Sequence, residues 1–289
     1  MRHADLGRGV GDGWEVAGAG AAIRGGAMIG YRDVGGAGLD LKVAGAASVT
    51  VLVEFGDRGL TVEDAVGRRE LGGFVAGLPL GAMRLQGAGV ECIEVRLSPE
   101  RAYSMLGVPP GSLGRGAVSL EELWGARAVR LRERLAEAGS WDERFELMKS
   151  FLAQSDRQRT SPDPEVLDGW RRILTSGGQV RIGQLVADTG WSYKRLGARF
   201  EAQIGLTPKR AAMLVRFRAA VDGLLAGRAA AEVAVDCGYV DQAHLCRDVG
   251  IFAELTPGSL TAEYLPAIAR YRYSQWGNFF QYGAVPSGR

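Results

Sequence analysis

Three basic side chains crowd one face of a short helical stretch in the C-terminal half of the chain. Lys194, Arg195 and Arg199 alternate along the sequence with the apolar Leu196 and Phe200. The two apolar residues are spaced for burial on the opposite face of the helix. Ammonium and guanidinium groups neutralise phosphates and donate hydrogen bonds to guanine acceptors in the DNA major groove. The pattern therefore indicates a helix that binds nucleic acid.

The neighbouring residues predict the elements that hold this helix. Ile182 and Val186 repeat at helical spacing until Gly190, and Ser192 is a good N-cap for the helix that carries the basic cluster. The Thr-Pro pair at 207–208 then opens a longer helix. A helix, a tight turn and a basic second helix form a helix-turn-helix, whose second helix fits the major groove.

A second unit of the same kind follows. Residues 230–237 form a short helical pattern that Gly238 ends, and Asp241 is an N-cap for the stretch DQAHLCRDVGIF. Another Thr-Pro pair, at 256–257, comes next. The sequence thus predicts two helix-turn-helix units joined by one long helix over about 209–225.

These residues resemble the C-terminal domain of the AraC/XylS family of bacterial transcription regulators. The resemblance covers about residues 165–264, and its most specific parts are G-Y-x-D-Q-x-H-L at 238–245, then Arg247 and Leu-Thr-Pro at 255–257. It implies a sequence-specific regulator that binds double-stranded DNA. The resemblance favours activation by contact with RNA polymerase, with repression as the alternative. It also implies a cupin-like N-terminal domain that pairs subunits into a homodimer and senses a signal such as a small-molecule effector.

The first unit offers unusual base contacts. Lys194 is placed to reach guanine, while the small Gly197 and Ala198 allow close approach and a methyl contact with thymine. The predicted DNA-binding residues in and beside this unit are Ser192, Tyr193, Lys194, Arg195, Gly197, Ala198, Arg199, Lys209 and Arg210.

In the second unit, Gln242 suits adenine and Arg247 suits guanine, and His244 completes the predicted DNA-binding residues. In the alternative interpretation, Arg247 and His244 only touch phosphate or neighbouring side chains. The unit also departs from the family pattern at Glu254, where glycine usually ends the helix. Glutamate takes the left-handed conformation at a steric cost that glycine avoids, so we expect an irregular end.

Charge divides unevenly between the two units. Residues 181–218 hold eight basic and two acidic side chains, a net charge of +6, whereas residues 219–263 hold two basic and seven acidic ones, a net charge of −5. Because phosphate neutralisation supplies most non-specific affinity, we expect the first unit to anchor the protein. The second unit would add selectivity or would contribute little to binding.

The whole sequence predicts an α+β protein of 289 residues. Residues 1–26 are rich in Gly and Ala and predict a flexible leader, and residues 27–152 predict a small β-barrel with C-terminal helices for sensing and dimerisation. The predicted strands are 27–34, 48–55, 74–78, 82–85 and 90–97. Helical stripes within 123–152 predict a dimer surface or, equally, intradomain core.

The remaining segments are connections and a tail. Residues 153–164 are polar with two prolines and predict a linker to the DNA-binding domain, 165–265. Residues 266–289 gather six aromatic side chains, which predicts a tail that packs on its own domain.

Other classes of protein fit the sequence poorly. It has no phosphate-loop, dinucleotide or nucleophile-elbow motif, and its only histidines are His3 and His244, so we expect no enzyme, no cofactor and no metal site. Without a signal peptide or an apolar run of membrane length, a cytoplasmic, nucleoid-associated location is expected. Two alternatives stay open: an adaptor that has lost DNA binding, and a thiol-based redox or DNA-repair regulator using Cys92 or Cys246.

Overall fold

A computed structural model describes residues 13–18, 23, 25–78, 81–155 and 161–260. The strands are β1 (Trp14–Gly18), β2 (Gly26–Asp33), β3 (Leu39–Val43), β4 (Val49–Glu54), β5 (Leu60–Asp64), β6 (Gly67–Leu71), β7 (Gly73–Ala76), β8 (Met83–Gly87), β9 (Glu91–Leu97) and β10 (Val118–Ser119). The helices are α1 (Pro99–Met105), α2 (Leu120–Trp124), α3 (Ala126–Glu137), α4 (Trp141–Ser155), α5 (Pro164–Thr175), α6 (Ile182–Thr189), α7 (Tyr193–Ile204), α8 (Pro208–Leu225), α9 (Ala230–Asp236) and α10 (Gln242–Ala253). Two 3₁₀ helices lie at Pro110–Leu113 and Pro257–Leu260.

The strands form two antiparallel sheets, one ordered β1-β2-β9-β4-β7-β10 and the other β3-β8-β5-β6. Within the described residues no ladder joins the two sheets, so they make an open sandwich and not a closed barrel. The α+β prediction is confirmed, and all five predicted strands are present, as β2, β4, β7, β8 and β9.

Alternation along the central strands explains how both faces of the larger sheet are covered. In β4, Leu52 faces the smaller sheet, whereas Val51 and Val53 face the helices. The core on the helix side continues from the N-terminal helices into the C-terminal domain, where Trp170 and Phe217 are buried. This shared core seats the helical domain against the sheet domain.

The predicted flexible leader is wrong for residues 14–18. They form β1, which pairs antiparallel with β2 over its whole length. Trp14 and Val16 are buried between the sheets, and Glu15 forms a 3.2 Å ion pair with Arg32 on the neighbouring strand. The alternation of inward-facing residues therefore determines the structure of this segment more strongly than the glycine-rich composition around it. Residues 1–12 lie outside the described part of the chain.

The helical stripes predicted as a dimer surface are mostly intradomain core. Leu131 and Leu135 of α3 are buried, as are Phe145 and Met148 of α4. Val129 differs, since 41% of it is exposed on the outer face of α3. The buried residues of these stripes are therefore intradomain core, which was the second of the two interpretations of the sequence.

Two further findings concern the described residues alone. None of their helices combines the length and the apolar character needed to cross a bilayer. No group of three or more His, Cys, Asp or Glu side chains among them is arranged to hold a metal ion. The predicted aromatic tail lies outside the described residues.

Candidate DNA-binding surface

The first helix-turn-helix, α6 and α7, has the geometry that the sequence predicts. Gly190 ends α6 in the left-handed conformation, with φ of 65°. Ser192 caps α7, and its hydroxyl accepts a hydrogen bond of 3.2 Å from the backbone N–H of Arg195. Leu196 and Phe200 are buried against the rest of the domain. The opposite face of α7 is thereby turned outward.

The N-terminal half of α7 presents the predicted contacts to solvent. Tyr193 is 60% exposed, and Lys194, Arg195 and Ala198 are also exposed. The guanidinium of Arg195 lies 4.4 Å from the ring centre of Trp191, so it is held close to the turn by a cation–π contact. Gly197 is half-buried in the same face.

The first turn of α8 adds two cations beside α7. Lys209 and Arg210 are exposed, and within the described part of the chain neither forms an ion pair. Both line a cavity of about 330 Å³ together with Tyr193 and Gly197. Four predicted DNA-binding residues therefore converge around one opening.

Arg199 has a different environment from the other predicted contacts. Its guanidinium donates two hydrogen bonds to the carboxylate of Asp163, from Nε at 2.7 Å and from Nη2 at 2.9 Å. These bonds hold the pKa of Asp163 below its usual range. The backbone N–H of Asp163 also donates to Oε1 of Gln203, at 2.8 Å. Arg199 thus fastens the start of α5 to α7, a role that sequence reasoning missed because the partner lies 36 residues away.

In the second helix-turn-helix, α9 and α10, Asp241 caps α10, and its carboxylate accepts a 2.7 Å hydrogen bond from the backbone N–H of His244. Gln242 and Arg247 are exposed at the outer face of α10. The ring of His244 is half-buried and meets Tyr239 edge-on, with ring centres 5.1 Å apart. The structure therefore leaves Gln242 and Arg247 accessible and turns His244 toward a neighbouring side chain.

The end of α10 shows how the chain accommodates a residue that is not glycine. Glu254 takes the left-handed conformation with φ of 51°, and it is the one non-glycine residue of positive φ among those described. Lys42 of β3 contacts it twice, at 2.9 Å from the carboxylate and 3.4 Å from the backbone carbonyl. The backbone N–H of Gly45 donates to the carbonyl of Phe252 at 2.9 Å. The helix end is regular, and contacts from the sheet domain support it.

A buried ionic cluster, which the sequence did not reveal, connects α8 to α10. Asp248 on α10 is 2% exposed, and its carboxylate lies 3.6 Å from the guanidinium of Arg216 on α8. The same guanidinium lies 4.7 Å from the ring centre of Tyr239. Burial raises the pKa of Tyr239, and the nearby carboxylate of Asp248 adds to that increase. The cluster fixes the second unit on the connecting helix.

The sheet domain also touches the first unit. The 3₁₀ helix Pro110–Leu113 packs against the C-terminal half of α7, so closely that a Cβ on Gly111 would lie 2.5 Å from the carbonyl oxygen of Glu201. The contact covers the end of α7 opposite to Tyr193 and Lys194. Each helix-turn-helix unit is thus contacted by the sheet domain at the end of its second helix.

Comparison with known proteins identifies the C-terminal domain. A family model described as a helix-turn-helix domain matches residues 185–263. These residues form an AraC-type helix-turn-helix domain. A protein that carries this domain is a DNA-binding transcription regulator. The match includes both units, from Leu185 in α6 to beyond Pro257, so the AraC-type domain holds all but α5 of the C-terminal helices.

Several solved structures align with much of this chain at low sequence identity. ToxT from Vibrio cholerae O395 is 11% identical, with a TM-score of 0.47 over 87% of this chain and 99% of its own. A second ToxT structure, in the P21 crystal form, is 10% identical, with a TM-score of 0.49 over 81% and 97%. The AraC-like transcriptional activator CuxR is 14% identical, with a TM-score of 0.36 over 69% and 79%. No curated protein matches the chain.

Proposed function

We propose that the protein regulates transcription from specific DNA sites by placing the N-terminal half of α7 in a major groove. The observation that carries the proposal is the exposed face of Tyr193, Lys194 and Ala198, which lies outside the contact between domains. The cations of α8, Lys209 and Arg210, flank this face and suit the adjacent phosphates. The anchoring charge belongs to the first unit.

The second unit would contribute selectivity. Gln242 and Arg247 are exposed on α10 and have the hydrogen-bonding groups that suit adenine and guanine. The surrounding residues 219–263 carry a net charge of −5, which opposes phosphate binding. We therefore expect this unit to discriminate between sequences without adding much affinity.

Two substitutions on α7 test the proposed contact. Lys194→Ala is expected to weaken binding about fivefold or more and to reduce the slope of log affinity against log salt by about 1. Arg199→Ala is the matched control, because its guanidinium is already paired with Asp163 and should leave the salt slope unchanged. A fluorescence anisotropy titration over several salt concentrations measures both variants.

Any of three results would count against this assignment. An equal loss of salt slope in both variants would show that Arg199 contacts phosphate and does not stay paired with Asp163. Unchanged binding in both would place the DNA contact elsewhere on the protein. No DNA binding by the parent protein would favour the adaptor alternative, which the acidic second unit supports.

A homodimer is part of the proposal, and the outer face of α3 is its candidate surface. Val129 is exposed there among charged residues of both signs, which suits pairing with a second copy in antiparallel orientation. Val129→Asp is expected to raise the dimer dissociation constant at least tenfold, as measured by sedimentation velocity. Val66→Asp, at a 64% exposed valine in the β5–β6 turn, is the control and should leave it unchanged. A parent protein that sediments only as a monomer would contradict the proposal.

We also propose that the sheet domain senses an effector. A cavity of about 40 Å³ between the sheets is lined by Ala44, Ser48 and Arg96, and the buried hydroxyl of Ser48 has no hydrogen-bond partner. In the same segment, the backbone N–H of Gly45 donates a hydrogen bond to the carbonyl of Phe252 at the end of α10. Because the cavity is small, an effector would enlarge it and move this segment against the second unit.

Selection of bound fragments from random genomic DNA, with and without small-molecule cell extract, tests sensing and target choice together. Run-off transcription from the selected fragments by RNA polymerase then tests activation. We expect enrichment of one sequence family, a change in enrichment with extract, and more transcript when the protein is added. Reduced transcript would establish repression instead.

The structure gives little support to a thiol mechanism at Cys92. Cys92 is 4% exposed in the core between the sheets.

A further inference from the structure

A cavity of about 330 Å³ opens between α6, α7 and the first turn of α8. Its walls are apolar and come from all three helices, through Ile182, Val186, Leu196 and Met213. Small-molecule sites in proteins begin at about 300 Å³ and are mostly apolar with a few polar groups that fix orientation. The cavity therefore has the size and lining of a site for a compact organic molecule.

The absence of a side chain at Gly197 leaves the cavity open on the outer face of α7. A Cβ built on Gly197 would meet no other heavy atom within 4 Å. Tyr193, one turn earlier, lines the same opening with an aromatic ring that is 60% exposed. A flat apolar group could therefore enter beside Gly197 and stack on the ring of Tyr193.

The charge at the mouth of the cavity selects for an anion. Lys209 and Arg210 both line it, and within the described residues neither has an acidic partner. Thr207, the N-cap of the 18-residue helix α8, makes no side-chain capping hydrogen bond, so the positive end of the helix adds to the field. An apolar interior with cations at its entrance complements a molecule that has an apolar body and one negative group.

We propose that this cavity binds a small amphipathic carboxylate, with its apolar body between α6 and α7 and its carboxylate on Lys209 and Arg210. The bound molecule would cover the cations that the DNA phosphates need, and so it would compete with DNA. The ligand site stands independently of the proposed function, whereas the competition rests on it.

Titration of the full-length protein with 3-phenylpropionate tests the site, with amide chemical shifts of Lys209 and Arg210 as the readout. The uncharged 3-phenylpropan-1-ol has the same body and is the ligand control. We expect the carboxylate to bind at least tenfold more tightly than the alcohol. Equal affinity, or no shift at these two amides, would overturn the proposal.

Two variants locate the ligand. Val186→Phe fills the cavity from α6 and should abolish the 3-phenylpropionate shifts, whereas Val235→Phe, at an exposed valine of α9, should leave them unchanged. Lys209→Met keeps the cavity and Arg210, and it should bring the affinity for the carboxylate closer to that for the alcohol. This variant tests the site even if Val186→Phe unfolds. Full retention of binding in Val186→Phe or in Lys209→Met would contradict the assignment.

Competition is measured separately, by anisotropy of a labelled DNA duplex. The apparent DNA dissociation constant should rise in proportion to one plus the ratio of ligand concentration to its own dissociation constant. Ligand binding without this rise would refute competition and the approach of DNA to this face. Failure of DNA binding in the absence of ligand would refute the proposed function, and the shift titration would still decide the ligand site.

Discussion

Asp248→Ala is expected to lower the free energy of unfolding of the AraC-type domain by about 3 kcal/mol. The carboxylate of Asp248 is 2% exposed and faces the guanidinium of Arg216 across the α8–α10 contact. Removal of one partner of a buried pair leaves the other charge uncompensated, which costs about 3–5 kcal/mol. The lower value applies because 15% of the Arg216 side chain reaches solvent.

The loss of this pair should also loosen the second unit on its connecting helix. Arg216 stacks on Tyr239, which precedes α10, so an unpaired guanidinium would shift toward solvent and disturb that contact. We expect the variant to keep its affinity for a half-site read by α7 and to lose discrimination at the half-site read by α10. Urea denaturation gives the stability, and anisotropy with duplexes mutated in either half-site gives the discrimination.

Asp236→Ala is the matched control for this prediction. Asp236 also pairs with an arginine, Arg228, but both side chains are largely exposed. Such pairs contribute little because water screens them. Equal stability of the two variants would show that burial of Asp248 does not determine the strength of its pair.

The elements that the sequence predicted correctly have signals within a few residues of each other. Ser192 caps α7 because its hydroxyl accepts a hydrogen bond from the N–H of Arg195, three positions later. The runs that became β4 and β9 are rich in β-branched residues and buried on both faces. Such local patterns can be recognised in the sequence without knowledge of the tertiary structure.

The features that the sequence did not reveal depend on distant partners. Strand β1 is specified by pairing with β2 and by burial of Trp14 and Val16, and the residues around it are glycine-rich like a loop. The roles of Arg199 and Glu254 depend on Asp163 and on Lys42, which is 212 residues from Glu254. A charge on a helix face can bind DNA or another element of the same chain, and spacing alone does not distinguish them.

The contact between the sheet domain and α7 leads to the second large effect. Gly111→Ala would place a Cβ 2.5 Å from the carbonyl oxygen of Glu201 and 2.9 Å from the Cα of Ala202, so one backbone must move. Overpacking of this kind costs about 1–3 kcal/mol. Because the clash falls on backbone atoms of two domains, we expect separation of the 3₁₀ helix from α7 and not rearrangement within either domain.

Hydrogen exchange followed by mass spectrometry measures this separation. Amides at the C-terminal end of α7 and in the 3₁₀ helix should exchange about tenfold faster, while those of β4 and α8 should be unchanged. Gly250→Ala is the control, because a Cβ at that position meets no other heavy atom within 4 Å. Alanine also has a higher helix propensity than glycine. DNA binding should persist in Gly111→Ala, because Tyr193 and Lys194 lie at the opposite end of α7. Loss of DNA binding by a folded Gly111→Ala protein would show that the sheet domain sets the orientation of α7, and the major-groove contact would then require both domains.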